Sequence, residues 1–466
     1  MALPAPSTAE QDAPSGKIRI TLSTRDESVA VPDLPIFVPL ALRRYGLSEI
    51  VNHLLASEKP IPFDFLAGGE LLRVSLLDYI TSKGLSAENT LALEYTRSIL
   101  PPTFLASYLH PDWVSSVDIL RGPSASPLHR APLLAGSFDG IVRTWSLSGD
   151  VVLELAGHSA PVKTVKWLDA RRAISGSMDR SIRIWRLPAS LTGDNAEIDS
   201  TEATMLNADT QTVTAARVFT GHKSTVDDLA VNIATSRMLS AGADGVVGLW
   251  TTNYKEAPPA PTPPIPTNVA KRRKRSVLQE SRGPLFLMSS HLGPVTGVIF
   301  DAKDSTVGYS VSLDHTIKTW DLVSAQLVDT RTTSFPLLAI AHLPALSLLC
   351  CGSSARHITL HDPRTASTAT TTQQTLVGHT NFVSDLVPSP DSDYMFASSS
   401  YDGTVRVWDV RAQRAVYIIE REEKSPGARE KPKVFGVDWE KYVGIVSAGE
   451  DKQLQINRGA DWDQQD

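Results

Sequence analysis

Histidine, aspartate and serine recur along this 466-residue chain at spacings that would suit a proton relay. His158, Ser175 and Asp179 form one such set, with Trp185 six residues beyond the aspartate. A His-Asp-Ser constellation can activate a hydroxyl, because the carboxylate orients the imidazole and the imidazole takes the hydroxyl proton. The spacing does not stay in one place, however. Histidine followed four residues later by valine occurs at His110 and Val114, His158 and Val162, His222 and Val226, His291 and Val295, and His379 and Val383. Aspartate six residues before a strand-ending side chain occurs as Asp139 and Trp145, Asp179 and Trp185, Asp244 and Trp250, Asp314 and Trp320, Asp402 and Trp408, and Asp451 and Asn457. A catalytic centre needs its nucleophile once. A constellation that recurs around the chain is scaffolding, and buried polar networks commonly fix structure. His158, Ser175, Asp179 and Trp185 are therefore assigned to a hydrogen-bond network inside one repeat.

The elements that must position these residues follow from the period. Gly-His at one end and Trp-Asp at the other, repeating at about 40–45 residues, is the signature of four-stranded propeller blades. A degenerate fifth unit puts His361 and Asp362 at the Trp-Asp position and Ala355 where the turn aspartate belongs. The last unit carries Val434 and Trp439 where the second has Val162 and Trp167. In that second unit Val162, Val165 and Trp167 open a strand, residues 172–177 form the next and 181–186 the third. The expectation is a mainly β chain with a seven-bladed WD-repeat β-propeller over residues 104–460. Its ring would close through residues 104–108, the outer strand of blade seven, because an open sheet edge invites aggregation. Insertions at 188–211 and 251–284 lengthen units three and four and should project as loops.

Residues 16–100 lack the blade pattern and follow a tail, 1–15, expected to be disordered. Residues 17–22 alternate polar and apolar as a half-buried strand, and 29–31 return as a second. Ser48 is placed as the cap of a helix with Ile50, Val51, Leu54 and Leu55 on its apolar face. A strand at 63–66, a turn at Gly68 and Gly69, a short helix capped by Ser75 and a strand at 91–95 complete an α+β, ubiquitin-like β-grasp domain. No di-glycine tail follows it, which points to a recognition module.

The run RRYGLSEIVNHLLASEKPIPFDFL, then GELLR, GLSAE and EYTRSILPP, resembles the NLE-type ubiquitin-like domain of the WD-repeat subunits of the PeBoW complex. That complex also contains pescadillo and the block-of-proliferation protein. The resemblance implies a non-enzymatic factor in assembly of the large (60S) ribosomal subunit and pre-rRNA maturation, in the nucleolus and nucleoplasm. It implies that the propeller binds the block-of-proliferation protein. It also implies that the ubiquitin-like domain docks on the metal site of midasin, an AAA ATPase that strips the complex from the pre-60S particle. By the motif GLSAE, the acidic residue that completes the partner's magnesium site is Glu88, with Glu94 a weaker candidate. The chain would need no cofactor or metal of its own. Notchless, another midasin substrate, shares the domain type but typically carries an additional blade. A WD-repeat substrate receptor of a ubiquitin ligase, and an enzyme with its site in the propeller channel, are the remaining alternatives.

A hydrophobic fraction of 42% and a charged fraction of 21% are those of a globular chain. A formal charge of −6 argues against a protein that coats nucleic acid with its whole surface. The only cysteines, Cys350 and Cys351, are adjacent, so they neither staple distant segments nor build a zinc site, and a reducing compartment is expected. The N-terminus lacks the basic and apolar regions of a secretory signal, and no apolar stretch is long enough to span a bilayer. After a proline-rich stretch come Lys271, Arg272, Arg273, Lys274 and Arg275, which read as a nuclear localisation signal on an exposed loop. Local pairing of this run with RNA phosphates is the other reading. Pro101 and Pro102 should make the link between the two domains short and stiff.

Overall fold

The computed structural model describes residues 16–56, 60–68, 70–86, 88–98, 101–121, 132–188, 212–214, 217–260, 281–365, 374–412, 414–421 and 431–459. The tail at 1–15, the basic run and most of both insertions lie outside them. The chain divides into two compact units at the 100/101 boundary. No helix among the described residues is long and apolar enough to cross a membrane.

The first unit is a five-stranded sheet with two helices. Its elements are β1 (Lys17–Ser23), β2 (Ile36–Pro39), α1 (Arg44–Leu55), β3 (Phe63–Ala67), β4 (Glu70–Leu71), α2 (Leu76–Lys83) and β5 (Leu91–Arg97). The strand order is β2-β1-β5-β3-β4, with β1 and β5 parallel at the centre, as in a β-grasp. Ile18, Ile20 and Leu22 alternate inward from β1 and meet Leu47 and Val51 of α1 over Phe63, Phe65 and Tyr95. Ser75 caps α2 by accepting the Asp78 N–H at 3.2 Å.

Three expectations for this unit need correction. The second strand is Ile36–Pro39, not 29–31. The Tyr95 hydroxyl donates to the Val29 carbonyl at 2.7 Å and accepts the Val31 N–H at 2.9 Å, taking the backbone groups a ladder would need. Ser48 lies inside α1, which starts at Arg44. Its hydroxyl donates to the Ile61 carbonyl and accepts the Phe63 N–H, tying the helix to the start of β3. Leu54 is exposed, whereas Val51 is buried as expected, with Ile50 and Leu55 packed against the core and Leu47 buried beside them.

The described residues of the second unit form seven antiparallel sheets of four strands each, two of them extended by an added edge strand. Each inner strand packs against the next, and Val434–Glu440 packs against Val114–Ile119 to close the ring. Thr103–Leu109 is the outer strand of blade seven, antiparallel to Gln453–Arg458, with Tyr108 opposite Leu454. Blade two has the strands read from its sequence, Val162–Asp169, Arg172–Ser177 and Ser181–Arg186, and then Arg217–Thr220 outermost.

The insertions belong to blades two and three, one blade earlier than the sequence units suggest. Each blade takes its outer strand from the start of the next unit, so both insertions fall between a third and an outer strand. Short strands lie at or just past their C-terminal ends. Thr212–Thr214 adds in parallel to the outer edge of blade one, and Ser281–Arg282 to that of blade two.

Candidate binding surfaces and the blade network

In blade two the four side chains singled out from sequence are in contact. His158 Nδ1 lies 2.8 Å from the Asp179 carboxylate and His158 Nε2 lies 2.7 Å from Ser175 Oγ. The indole N–H of Trp185 donates to the same Ser175 Oγ at 2.8 Å. The serine hydroxyl therefore donates to His158 and accepts from Trp185, and the imidazole proton sits on Nδ1. The arrangement recurs in blade three (His222, Asp244, Ser240, Trp250), blade four (His291, Asp314, Ser310, Trp320) and blade six (His379, Asp402, Ser398, Trp408). Burial holds the His158, His291 and His379 imidazoles below their ordinary pKa, so they stay neutral as the network requires. Burial pushes Asp179 upward, but hydrogen bonds from His158 and Ser181 outweigh it and keep the carboxylate ionised. All four serines are fully buried. These relays resemble catalytic triads, yet no substrate reaches their hydroxyls.

The other three blades depart from this pattern. Blade one has Ala135 in the register position of the serine, opposite Val117, just as Ser175 is opposite Val165. Its Asp139 is drawn to Arg143 at 2.7 Å. Both ring nitrogens of His110 and the indole N–H of Trp145 are buried without a hydrogen bond among the described residues. Their rings sit 4.7 Å apart, against 5.9–6.3 Å in the intact blades. Blade five has Cys351 at that position, and burial pushes its thiol far up. Blade seven has no histidine, and Arg421 takes its place. Its guanidinium donates to Ser447 Oγ at 3.0 Å and pairs with Asp451, the turn aspartate. Sequence reading missed Arg421 because the repeat is marked by histidine and an arginine gives no such mark.

At four of the seven junctions, one–two, three–four, six–seven and seven–one, an aspartate of one inner strand latches onto the next. Asp118 accepts the Trp167 N–H at 2.7 Å, Asp228 that of Val298 at 3.0 Å, and Asp385 that of Val437 at 3.1 Å. Asp438 accepts the Ile119 N–H at 2.7 Å across the closure. These carboxylates line a channel cavity of about 540 Å³ with Lys166, which pairs with Asp118 at 3.2 Å, and Arg121, which pairs with Asp438. No set of three or more candidate ligands close enough to hold a metal ion occurs among the described residues.

Two surfaces face outward. At the end of the propeller where the inner strands begin, aromatic rings run across blades six, seven and one. Phe382 lies 6.1 Å from Tyr401, Tyr401 5.6 Å from Phe435, Phe435 6.0 Å from both Phe138 and Trp113, and Trp113 5.5 Å from Phe138. Trp113 and Phe382 are 37% and 42% exposed, well above the usual burial of such rings. On the first unit, Glu88 sits between α2 and β5 in a loop that Gly84 starts with a left-handed backbone, φ 63°. Its N–H donates to Ser86 Oγ at 3.3 Å. Its carboxylate is exposed and makes no hydrogen bond or ion pair among the described residues. Glu94, by contrast, is engaged by Arg25 at 2.9 Å.

Residues 18–80 match the model of the NLE (NUC135) domain, and residues 149–186, 214–251 and 370–409 match the WD domain, G-beta repeat. The chain is 48% identical to the ribosome biogenesis protein YTM1 of Saccharomyces cerevisiae, over 96% of this chain and 98% of that one. The YTM1 family is where this chain belongs. The YTM1 protein of Candida albicans is 49% identical over 96% of this chain and 97% of its own, and that of Vanderwaltozyma polyspora 48% over 96% and 98%. YTM1 relatives thus align with both units, so the ubiquitin-like domain and the propeller go together.

Proposed function

We propose that this chain is a non-enzymatic assembly factor of the large ribosomal subunit, acting in pre-rRNA maturation in the nucleolus and nucleoplasm. The propeller binds the block-of-proliferation protein, with pescadillo as the third member of the complex. The aromatic run over blades six, seven and one suits that contact, because rigid aromatic rings supply most binding energy at protein interfaces. The ubiquitin-like domain offers Glu88 to the metal site of midasin, whose ATP-driven movement releases the complex from the pre-60S particle. A hard divalent cation prefers oxygen ligands, and an ionised carboxylate fills an open position well. The observation that carries this reading is the exposed, unengaged carboxylate on a loop of a compact NLE-type domain. Seven blades favour it over the notchless type.

Binding of the full-length protein to the metal-site domain of midasin and to the block-of-proliferation protein provides the test. Glu88→Ala and Glu88→Gln should lose midasin binding by tenfold or more, and Glu88→Asp by less. EDTA should abolish it, while binding to the block-of-proliferation protein stays unchanged. Trp113→Ala should show the converse pattern. If Glu88→Gln binds midasin as the wild type does, or EDTA has no effect, the metal-ligand role is wrong.

A further inference from the structure

We infer that the end of the propeller bearing the aromatic run receives an extended protein segment whose apolar residues are flanked by carboxylates. Arg356 holds one flank, and Arg180 with Lys223 holds the other. The inference rests on the proposed use of the aromatic run as a partner site and adds the charge its occupant must carry.

Three cations stand at that end on separate blades. Arg180 follows the turn aspartate of blade two, Arg356 follows Ala355 in blade five, and Lys223 follows His222 in the loop that enters blade three. All three are exposed, and their side chains make no hydrogen bond or ion pair among the described residues. The repeat places them against their neighbours. In blade three a Cβ added to Gly245, at the same turn position as the two arginines, would lie 3.1 Å and 3.3 Å from the carbonyls of His291 and Gly293 in the next loop. For Arg180 the equivalent loop residues are His222 and Ser224, so it stands beside Lys223. For Arg356 they are His379 and Asn381, so it stands beside Phe382, the first ring of the run. Phe335, 45% exposed, meets the ring of His357, the residue after Arg356, at 5.3 Å.

The described carboxylates at this end are engaged. Asp112 pairs with Lys452 at 3.7 Å and Glu450 with Lys433 at 3.9 Å, while the Thr225 hydroxyl donates to Asp227 at 3.4 Å. The turn aspartates are held by histidine in blades two, three, four and six, by Arg143 in blade one and by Arg421 in blade seven. Blade five has Ala355 there, so no turn carboxylate offsets Arg356. A chain of formal charge −6 thus presents unpaired positive charge at one end. Arg180 and Arg356 also hold left-handed backbone, φ 68° at each, where glycine serves three other blades. A long side chain kept at a strained position points to a use beyond folding. Single-stranded nucleic acid needs cations that track its backbone. Here the free cations flank an apolar run, and the lysines between them, Lys433 and Lys452, are paired. A protein segment fits that order, with apolar residues on the rings for binding energy and carboxylates at the rim to steer encounter.

Binding of the full-length protein to the full-length block-of-proliferation protein is followed by surface plasmon resonance at ionic strengths of about 0.01 and about 0.15 M. Arg180→Gln/Lys223→Gln/Arg356→Gln should slow association about fivefold or more at the lower ionic strength and shrink its salt dependence. Arg356→Gln alone should weaken binding about twofold to fivefold, and Arg356→Lys should restore it. Arg356→Gly relieves the backbone, so it should unfold at higher urea than the wild type and yet bind as weakly as Arg356→Gln. An arginine with only a structural role would not separate the two readouts. Trp113→Ala tests the underlying reading apart from this one. Loss of binding there, with rate and salt dependence unchanged in the triple variant, overturns the charge assignment and leaves the partner site standing. Absence of binding by the wild type overturns both. Competition by single-stranded RNA of mixed sequence that exceeds competition by a glutamate-rich peptide also overturns the inference, because the cations then serve phosphate.

Discussion

The position of the network serine sets blade one apart from the four intact blades. With Ala135 where the others carry serine, His110 and Trp145 have no oxygen between them. Burial, with Arg143 beside it, then pushes the His110 imidazole down to about 3. Each buried polar group left without a partner costs about 1–3 kcal/mol. Ala135→Ser should return the acceptor to Trp145 and the donor to His110, and stabilise the propeller by about 1 kcal/mol. Ser175→Ala in blade two should cost about 2 kcal/mol by orphaning the same two groups there. Urea unfolding followed by tryptophan emission reads both changes, because all nine tryptophans lie beyond residue 101. Destabilisation by Ala135→Ser would show that blade one has no room for the hydroxyl. At this scale the network of His158, Ser175, Asp179 and Trp185 was legible, since one spacing recurs. Arg421 and Ala135 were not, because a missing or replaced histidine or serine leaves no recurring mark.

At the scale of elements, all seven blades place one residue in the left-handed region directly after the turn aspartate, or after Ala355 in blade five. These residues are Gly140, Arg180, Gly245, His315, Arg356, Gly403 and Lys452, with φ from 64° to 82°. The turn geometry is thus a demand of the hairpin, and three blades meet it with glycine. A side chain there costs roughly 1–2 kcal/mol, and glycine gives back roughly 0.5–1 through its freer unfolded chain. His315→Gly and Arg356→Gly should therefore each raise stability by about 0.5–1 kcal/mol in the same urea assay. Gly403→Ala should lower it, since a Cβ there would meet Lys431 Cβ at 2.5 Å. A loss of stability in both glycine variants would mean that the His315 and Arg356 side chains make contacts worth more than the strain. Strand limits in blade two and the closing strand were readable because apolar alternation continues through them. The second strand of the ubiquitin-like unit was not, because Tyr95, sixty-four residues away from Val31, removes the backbone partners that local pattern promised to residues 29–31.

For the whole molecule, the ring is held by blades that latch to one another, and the latches put carboxylates into the channel. Asp118, Asp228, Asp385 and Asp438 face it together with Lys166 and Arg121. Hydropathy pattern says nothing of this, because each aspartate sits in an inner strand that reads as ordinary half-buried sequence. Burial pushes the Asp385 carboxyl up to about 7, with Lys166 the largest force holding it down. A carboxyl that titrates higher in the folded chain than in the unfolded one binds its proton more tightly when folded. Its contribution therefore stabilises the propeller below about pH 4 and fades as pH rises toward 7, where the buried group must ionise. A shift of three units carries roughly 4 kcal/mol in full, and water in the channel reduces this to about 2. Asp118 and Asp228 are raised in the same direction, also by burial first. His110, His158, His291 and His379, lowered by burial, act the other way and lose stability below about pH 6.5. The comparison must therefore be made against a variant that changes Asp385 alone. Asp385→Asn keeps an oxygen for one of the two backbone N–H groups and cannot ionise. Measured from pH 5 to pH 8, its stability relative to the wild type should rise by about 2 kcal/mol up to about pH 7 and level off above it. Lys166→Met should destabilise the ring at pH 8 and move the remaining titration upward, because the channel then holds its acids without their central cation. A difference curve between Asp385→Asn and wild type that stays flat across this range would mean that the carboxylate is ionised throughout and that its two N–H donors outweigh its burial.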